Sequence, residues 1–155
     1  MVSLQSFAGD LPGVLVTTSS GDTRTPLTGS VVTGNDYFHA AVADDGTGVI
    51  AGTFNLSGID GVGAMVRTGG AFGAAQMVSV YADRGMSSTR TLGALAGPGG
   101  LGAVVWLNDQ NVFLSRRNGS MWTSPQLIAV TDGVVPRFSQ LNGSRGLVHF
   151  YDATR

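Results

Sequence analysis

FLSRRNGSM, residues 113–121, is a short strand-forming run that ends in an Asn-Gly turn, and its outline occurs twice more, as AMVRTGGAF at 64–72 and VLVTTSSGD at 14–22. The aligned glycines Gly21, Gly70 and Gly119 each stand 49 residues from the next. A fixed period of this length marks a repeat architecture, in which one supersecondary unit recurs. A second turn series keeps the same interval, with Gly34 in VVTGND, Asp83 in VYADRG and Asp132 in AVTDGV. A third series, GVIAGTF from Gly48, GAVVWLN from Gly102 and GLVHFYD from Gly146, drifts by a few residues, as loop insertions produce.

Between these anchors lie further hairpin signals at Ser20-Gly21, Asp45-Gly46, Asp60-Gly61, Asn118-Gly119, Asp132-Gly133 and Asn142-Gly143, flanked by short Val-rich runs. The pattern predicts an all-β chain of three four-stranded repeats, at about 10–58, 59–107 and 108–155, within a single domain covering residues 1–155. The chain is expected to open with the third and fourth strands of a unit, at 13–18 and 27–33, and to close with the first and second, at 135–141 and 146–151. Sharing one sheet between the two termini would tie the ends together and cover strand edges.

Composition points the same way. All nine basic residues are Arg, all ten acidic residues are Asp, and Lys, Glu and Cys are absent. Helix surfaces usually draw on Glu and Lys, so little helix is expected. A chain without Cys has no disulfide framework, no thiolate nucleophile and no Cys-ligated zinc. Lacking Lys, it has no Walker A loop. A net charge of −1, with 12% charged residues, is not the footprint of a nucleic-acid binder. No early basic residue precedes an apolar run, and the long uncharged stretch from Thr91 to Asn108 is interrupted by glycines, so neither a secretory leader nor a membrane span is expected.

The best-defined copy, AVVWLNDQNVFLSRRNGSMWTSPQLIAVTDGVVPRFSQLNGSRGLVHFYD at 103–152, resembles the blades of sialidase-like β-propellers. Ser115-x-Arg117-x-Gly119-x-x-Trp122 occupies the frame of that family's Asp-box turn, with Arg117 where the family has Asp. In the other copies the frame decays to Thr17-x-Ser19-x-Gly21-x-x-Arg24 and Val66-x-Thr68-x-Gly70-x-x-Gly73. The resemblance implies propeller-like blades. Because propellers close with four to eight blades, three units imply a ring completed by oligomerisation. A β-trefoil, also three β repeats in a chain of this size, is the alternative fold.

The family's catalytic couple, a Tyr activated by a Glu, does not carry over to a chain without Glu. Asp44 and Asp45 could supply a carboxylate pair, but an Asp-Asp-Gly sequence reads as a turn. His39 and His149 lie on apolar strands without carboxylate spacing and predict no metal site. Gly97-x-Gly99-x-x-Gly102 matches the dinucleotide fingerprint formally, yet it leads into the strand AVVWL rather than a helix and reads as a loop. No cofactor is predicted.

The function expected is therefore binding without catalysis: a lectin-like, glycan-binding β-propeller acting as a homo-oligomer. Trp106, Trp122 and Tyr151 are the candidate stacking platforms, with Arg116 and Arg117 as partners for sugar hydroxyls. For both Trp, packing within a blade is the competing reading. The alternative function is a structural or host-recognising component of a virus particle, a head or tail surface protein, in which neutral surface is buried between identical copies.

Overall fold

The computed structural model describes residues 2–6, 12–18, 21–26, 38–80, 89–132, 134–142 and 145–151. These hold fourteen strands and, among the described residues, no α-helix. The chain is all-β and every strand pair is antiparallel.

Strands β1 (Val2–Ser6), β2 (Pro12–Thr18) and β3 (Gly21–Pro26) form a three-stranded sheet. A second sheet runs in chain order through β4 (His39–Val42), β5 (Gly48–Leu56), β6 (Ile59–Arg67) and β7 (Gln76–Val80). The third contains β8 (Thr89–Gly97), β9 (Leu101–Asn108) and β10 (Asn111–Asn118). Its outer edge is shared by the two-residue β11 (Met121–Trp122) and by β12 (Gln126–Val130), both paired to β10. A hairpin of β13 (Val135–Asn142) and β14 (Arg145–Tyr151) follows.

The second and third sheets repeat one design. Each is a meander whose outer strand enters with a bulge, at Val62/Gly63 and again 50 residues later at Val112/Phe113. After the third strand the chain makes a compact turn, closed by Gly73 N–H donating to the Val66 carbonyl at 2.9 Å and, in the next sheet, by Thr123 N–H donating to Arg116 at 2.8 Å. The sheets run over residues 39–80 and 89–130, so each straddles a boundary of the repeats read at 10–58, 59–107 and 108–155.

The two sheets pack face to face. Val49, Ala51, Val62 and Ala64 of one meet Ala94, Ala96, Val104 and Trp106 of the other. Val49, Val62 and Val104 are wholly buried, each worth about 1.5–3 kcal/mol relative to exposure. Close approach depends on Gly102, where an added Cβ would lie 2.8 Å from a Val49 methyl. The other face of the second sheet carries Ile50, Phe54, Met65 and Phe72, with Phe38 and Phe54 edge to face at 5.6 Å. With both faces covered, β5 reads as a continuous buried run rather than an alternating one.

The far face of the third sheet, Leu92, Val105 and Val112, meets Phe138 and Val148 of the terminal hairpin. Phe138 sits where Gly93 and Gly146 leave room, since a Cβ at either glycine would overlap its ring. The first strands therefore gather along one side: β4 and β5 lie against β8, and β8 lies against β13.

Several sequence expectations need correction. Asp60-Gly61 is not a turn but the start of β6; the chain turns at Ser57 and Gly58, both at positive φ, 56° and 82°. Asn55 holds that turn, accepting from Gly58 N–H at 3.0 Å and donating to the Asp60 carboxylate at 2.7 Å. The strand β1 lies in what reads as a lead before the first repeat, and it takes the place beside β2 that the closing hairpin was expected to fill. Among the described residues the two termini thus share no sheet, and no sheet closes on itself. The strand expected at 27–33 and the turns at Gly34 and Asp83 lie outside the described residues.

Candidate functional site

Cross-strand register sorts the candidate residues. Phe113, Ser115 and Arg117 point from β10 toward the second sheet, whereas Val112, Leu114 and Arg116 point toward the terminal hairpin. Arg116 and Arg117, adjacent in sequence, therefore leave β10 on opposite faces, and the long Arg117 side chain reaches round to the Gly100 carbonyl.

Trp106 is 2% exposed, stacked on Phe113 with centroids 5.7 Å apart and planes 23° apart. It is a core residue, and the expectation that it stacks on a ligand is corrected: no face of the indole is open. Trp122 differs. It is half-buried at the rim, pairs with Arg117 across β10 and β11, and donates its indole N–H to Gln76 of the neighbouring sheet at 3.2 Å. Arg117 donates through Nη1 to the Gly100 carbonyl at 2.5 Å, while its buried Nε has no partner. Trp122, Arg117 and Gln76 thus form one small aromatic and polar patch. Tyr151 ends β14 opposite Val135; its side chain lies outside the described residues.

The turn that carries this patch is tied from within. Ser115, fully buried, donates its hydroxyl to the Thr123 carbonyl at 2.7 Å, and Thr123 Oγ1 accepts the Arg116 N–H at 3.0 Å. Ser115 and Trp122 both lie at this turn, and Arg117 reaches across to the neighbouring loop rather than capping it.

The Gly97–Gly102 loop contains a short 3₁₀ turn, Pro98–Gly100, with Gly99 at positive φ, 69°. Its amides face a carboxylate of the chain itself: Asp45 accepts from Gly99 N–H at 2.8 Å and from Thr47 N–H at 2.9 Å. These bonds from Gly99 and Thr47 hold the Asp45 carboxyl below the usual carboxylate range. The loop is a clasp between two sheets, and Asp45 works there as an acceptor. A second tie is His39, whose Nε2 donates to the Thr91 carbonyl at 3.0 Å. Burial pushes the His39 imidazole below its ordinary value; the bond to Thr91 opposes that shift and the nearby Arg90 adds to it.

Between the third sheet and the terminal hairpin lies a cleft of about 610 Å³. Leu95, Val105, Leu114, Ile128, Phe138 and Val148 make its apolar walls, and Arg116, Arg117 and Arg145 stand around it, with no Asp among the described lining residues. Arg145 and Gln76 had no role in the sequence reading. Gln76 and Gln126 stand 50 residues apart at the starts of equivalent strands, a signal the repeat could have yielded. Arg145 begins β14, and only hairpin packing brings it to the cleft.

Among the described residues, no group of three His or Asp side chains gathers as a metal site, and no helix is long and apolar enough to cross a membrane. No known protein family, curated protein or solved structure matches the chain.

Proposed function

We propose that the chain is a non-enzymatic recognition module of β-propeller type, that it acts as a homo-oligomer, and that it binds glycans at its rim. The observation that carries this reading is the face-to-face stacking of the four-stranded second sheet on the five-stranded third, with β4, β8 and β13 gathered on one side. Blades around an axis have that arrangement. Three repeat units fall short of the four to eight blades that close a propeller, so in this reading further copies supply the rest of the ring.

For the ligand, Trp122 offers the edge of an aromatic face, flanked by the Arg117 guanidinium and the Gln76 amide. An apolar ring beside fixed polar groups suits a sugar, whose C–H face stacks while its hydroxyls find donors and acceptors. The test is a glycan array probed with wild-type protein and with Trp122→Phe and Trp122→Ala. Selective binding that weakens in the order wild type, Phe, Ala supports the proposal; an array without hits, or binding untouched by either change, refutes it.

A second reading, a structural or host-recognising part of a virus particle, is favoured by one observation. The edge strand β12 leaves Leu127 at 51% and Val130 at 56% exposure, an apolar edge of the kind that neighbouring subunits cover. Recombinant protein that is ordered only on a large symmetric assembly would select this reading over a freestanding lectin.

A further inference from the structure

We infer that the cleft between the third sheet and the terminal hairpin binds an organic anion with an apolar body, such as a medium-chain carboxylate or an aromatic sulfonate. This goes beyond the glycan reading: the cleft lies on the opposite face of β10 from Trp122 and shares Arg117 with that patch.

Leu114 of the third sheet is half-buried and Ile128 is exposed where they stand beside Phe138 and Val148 of the hairpin. The cleft volume, about 610 Å³, falls in the range of small-molecule sites, roughly 300–1,000 Å³.

Charge decides which molecule fits. Arg116 enters from the end of β10 and Arg145 from the start of β14, and both side chains are exposed at the cleft. Neither guanidinium has a hydrogen-bond or ion-pair partner among the described residues. Arg117 adds a third positive charge nearby, fixed by its bond to Gly100. The Asp45 carboxylate, which meets the same 98–100 loop, is occupied by the amides of Gly99 and Thr47 and does not line the cleft. A carboxylate or sulfonate between Arg116 and Arg145 would form charge-assisted hydrogen bonds at the rim, and an aliphatic or aromatic body would cover the apolar walls. A neutral polyol would find few partners on those walls, and a metal cation would meet three like charges.

The probe is 8-anilino-1-naphthalenesulfonate, titrated by fluorescence alongside the uncharged N-phenyl-1-naphthylamine, which keeps the ring system and lacks the charge. Wild-type protein is expected to bind the sulfonate saturably at one site per chain, with decanoate competing. Arg116→Gln and Arg145→Gln should each weaken sulfonate binding about tenfold and leave the neutral probe unchanged. Ile128→Asp, which places a carboxylate in the cleft, should abolish sulfonate binding, and Trp122→Phe should not alter it. Urea midpoints near the wild-type value confirm that each variant is folded. No saturable sulfonate binding by the wild type, or equal affinity in all three cleft variants, overturns the inference. Arg117 belongs both to the cleft rim and to the Trp122 patch, so Trp122→Ala, at a residue that does not line the cleft, and Arg145→Gln, at one outside the patch, tell failure of this inference from failure of the glycan proposal.

Discussion

Replacing Trp106 with Ala separates a packing residue from a ligand platform more cleanly than any other single change. The indole is 2% exposed and lies between two sheets, flanked by Ala94, Ala96 and Val104 and stacked on Phe113. Truncating a buried Trp to Ala costs about 3–5 kcal/mol, because the transfer free energy is lost and the cavity closes only in part. Against a total stability of about 5–15 kcal/mol for an ordinary domain, that is a fifth or more of the margin. For a chain of this length, each kcal/mol moves the midpoint by about 2–4 °C, so Trp106→Ala should lower Tm by about 6–20 °C. Trp106→Phe keeps an aromatic partner for Phe113 and should cost about 1–2 kcal/mol. Urea unfolding followed by far-UV circular dichroism, at one protein concentration, gives these values directly. With Trp106 replaced by Phe, Trp122 is the sole remaining indole and reports the rim patch by its own fluorescence. A Trp106→Ala protein with an unchanged urea midpoint and a selective loss of ligand binding would refute the placement of this ring in the core.

Two further predictions concern polar groups at the sheet contacts. The hydroxyl of Thr91 is buried without a partner, so Thr91→Val, which keeps the shape, should leave stability unchanged or raise it by up to about 1 kcal/mol; a loss above that size in urea unfolding would show a bond at this hydroxyl. His39 is held neutral by burial, so the fold gains from it fully above an ordinary imidazole value of about 6.5 and loses that gain as pH falls through its lowered value. Asp45 acts in the same direction at lower pH, its contribution being present above about 3.9 and lost as pH drops through its depressed value. Urea midpoints should therefore decline in two stages on acidification; His39→Gln should flatten the upper stage and Asp45→Asn the lower, and a wild-type midpoint constant from pH 7 to pH 5 would contradict the account of His39.

Much of the fold is legible because glycine and β-branched residues punctuate this chain so regularly. The 49-residue spacing locates the third strand of each unit, and the drifting series from Gly48, Gly102 and Gly146 falls on the second strands β5, β9 and β14. The closing strands, expected at 135–141 and 146–151, occupy 135–142 and 145–151. Turn chemistry misled where two signals lay close together: Ser57-Gly58 and Asp60-Gly61 both suit a hairpin, and the former wins because Asn55 and Asp60 bracket it with hydrogen bonds. The turn at Asp109 carries no glycine and so no strong local signal, although its φ is 54°.

The site was less legible, for a physical reason. A strand places successive side chains on opposite faces, so which of Arg116 and Arg117 joins Trp122 depends on which face meets the next sheet. That is a tertiary fact. The same holds for Trp106, whose aromatic character suits a core and a sugar platform equally, and for Arg145, which only the docking of the hairpin brings to Arg116. Asp45 and the Gly97–Gly102 loop looked like separate turns, and it is the contact between two sheets that makes them one clasp.

We propose that these stacked sheets are blades of a ring completed by further copies of the same chain. Native mass spectrometry of the purified protein over a range of concentrations tests it most directly. A closed ring of copies gives a single discrete species at an integer multiple of 15.9 kDa, greater than one, that persists on dilution. A stable species at 15.9 kDa throughout would contradict it.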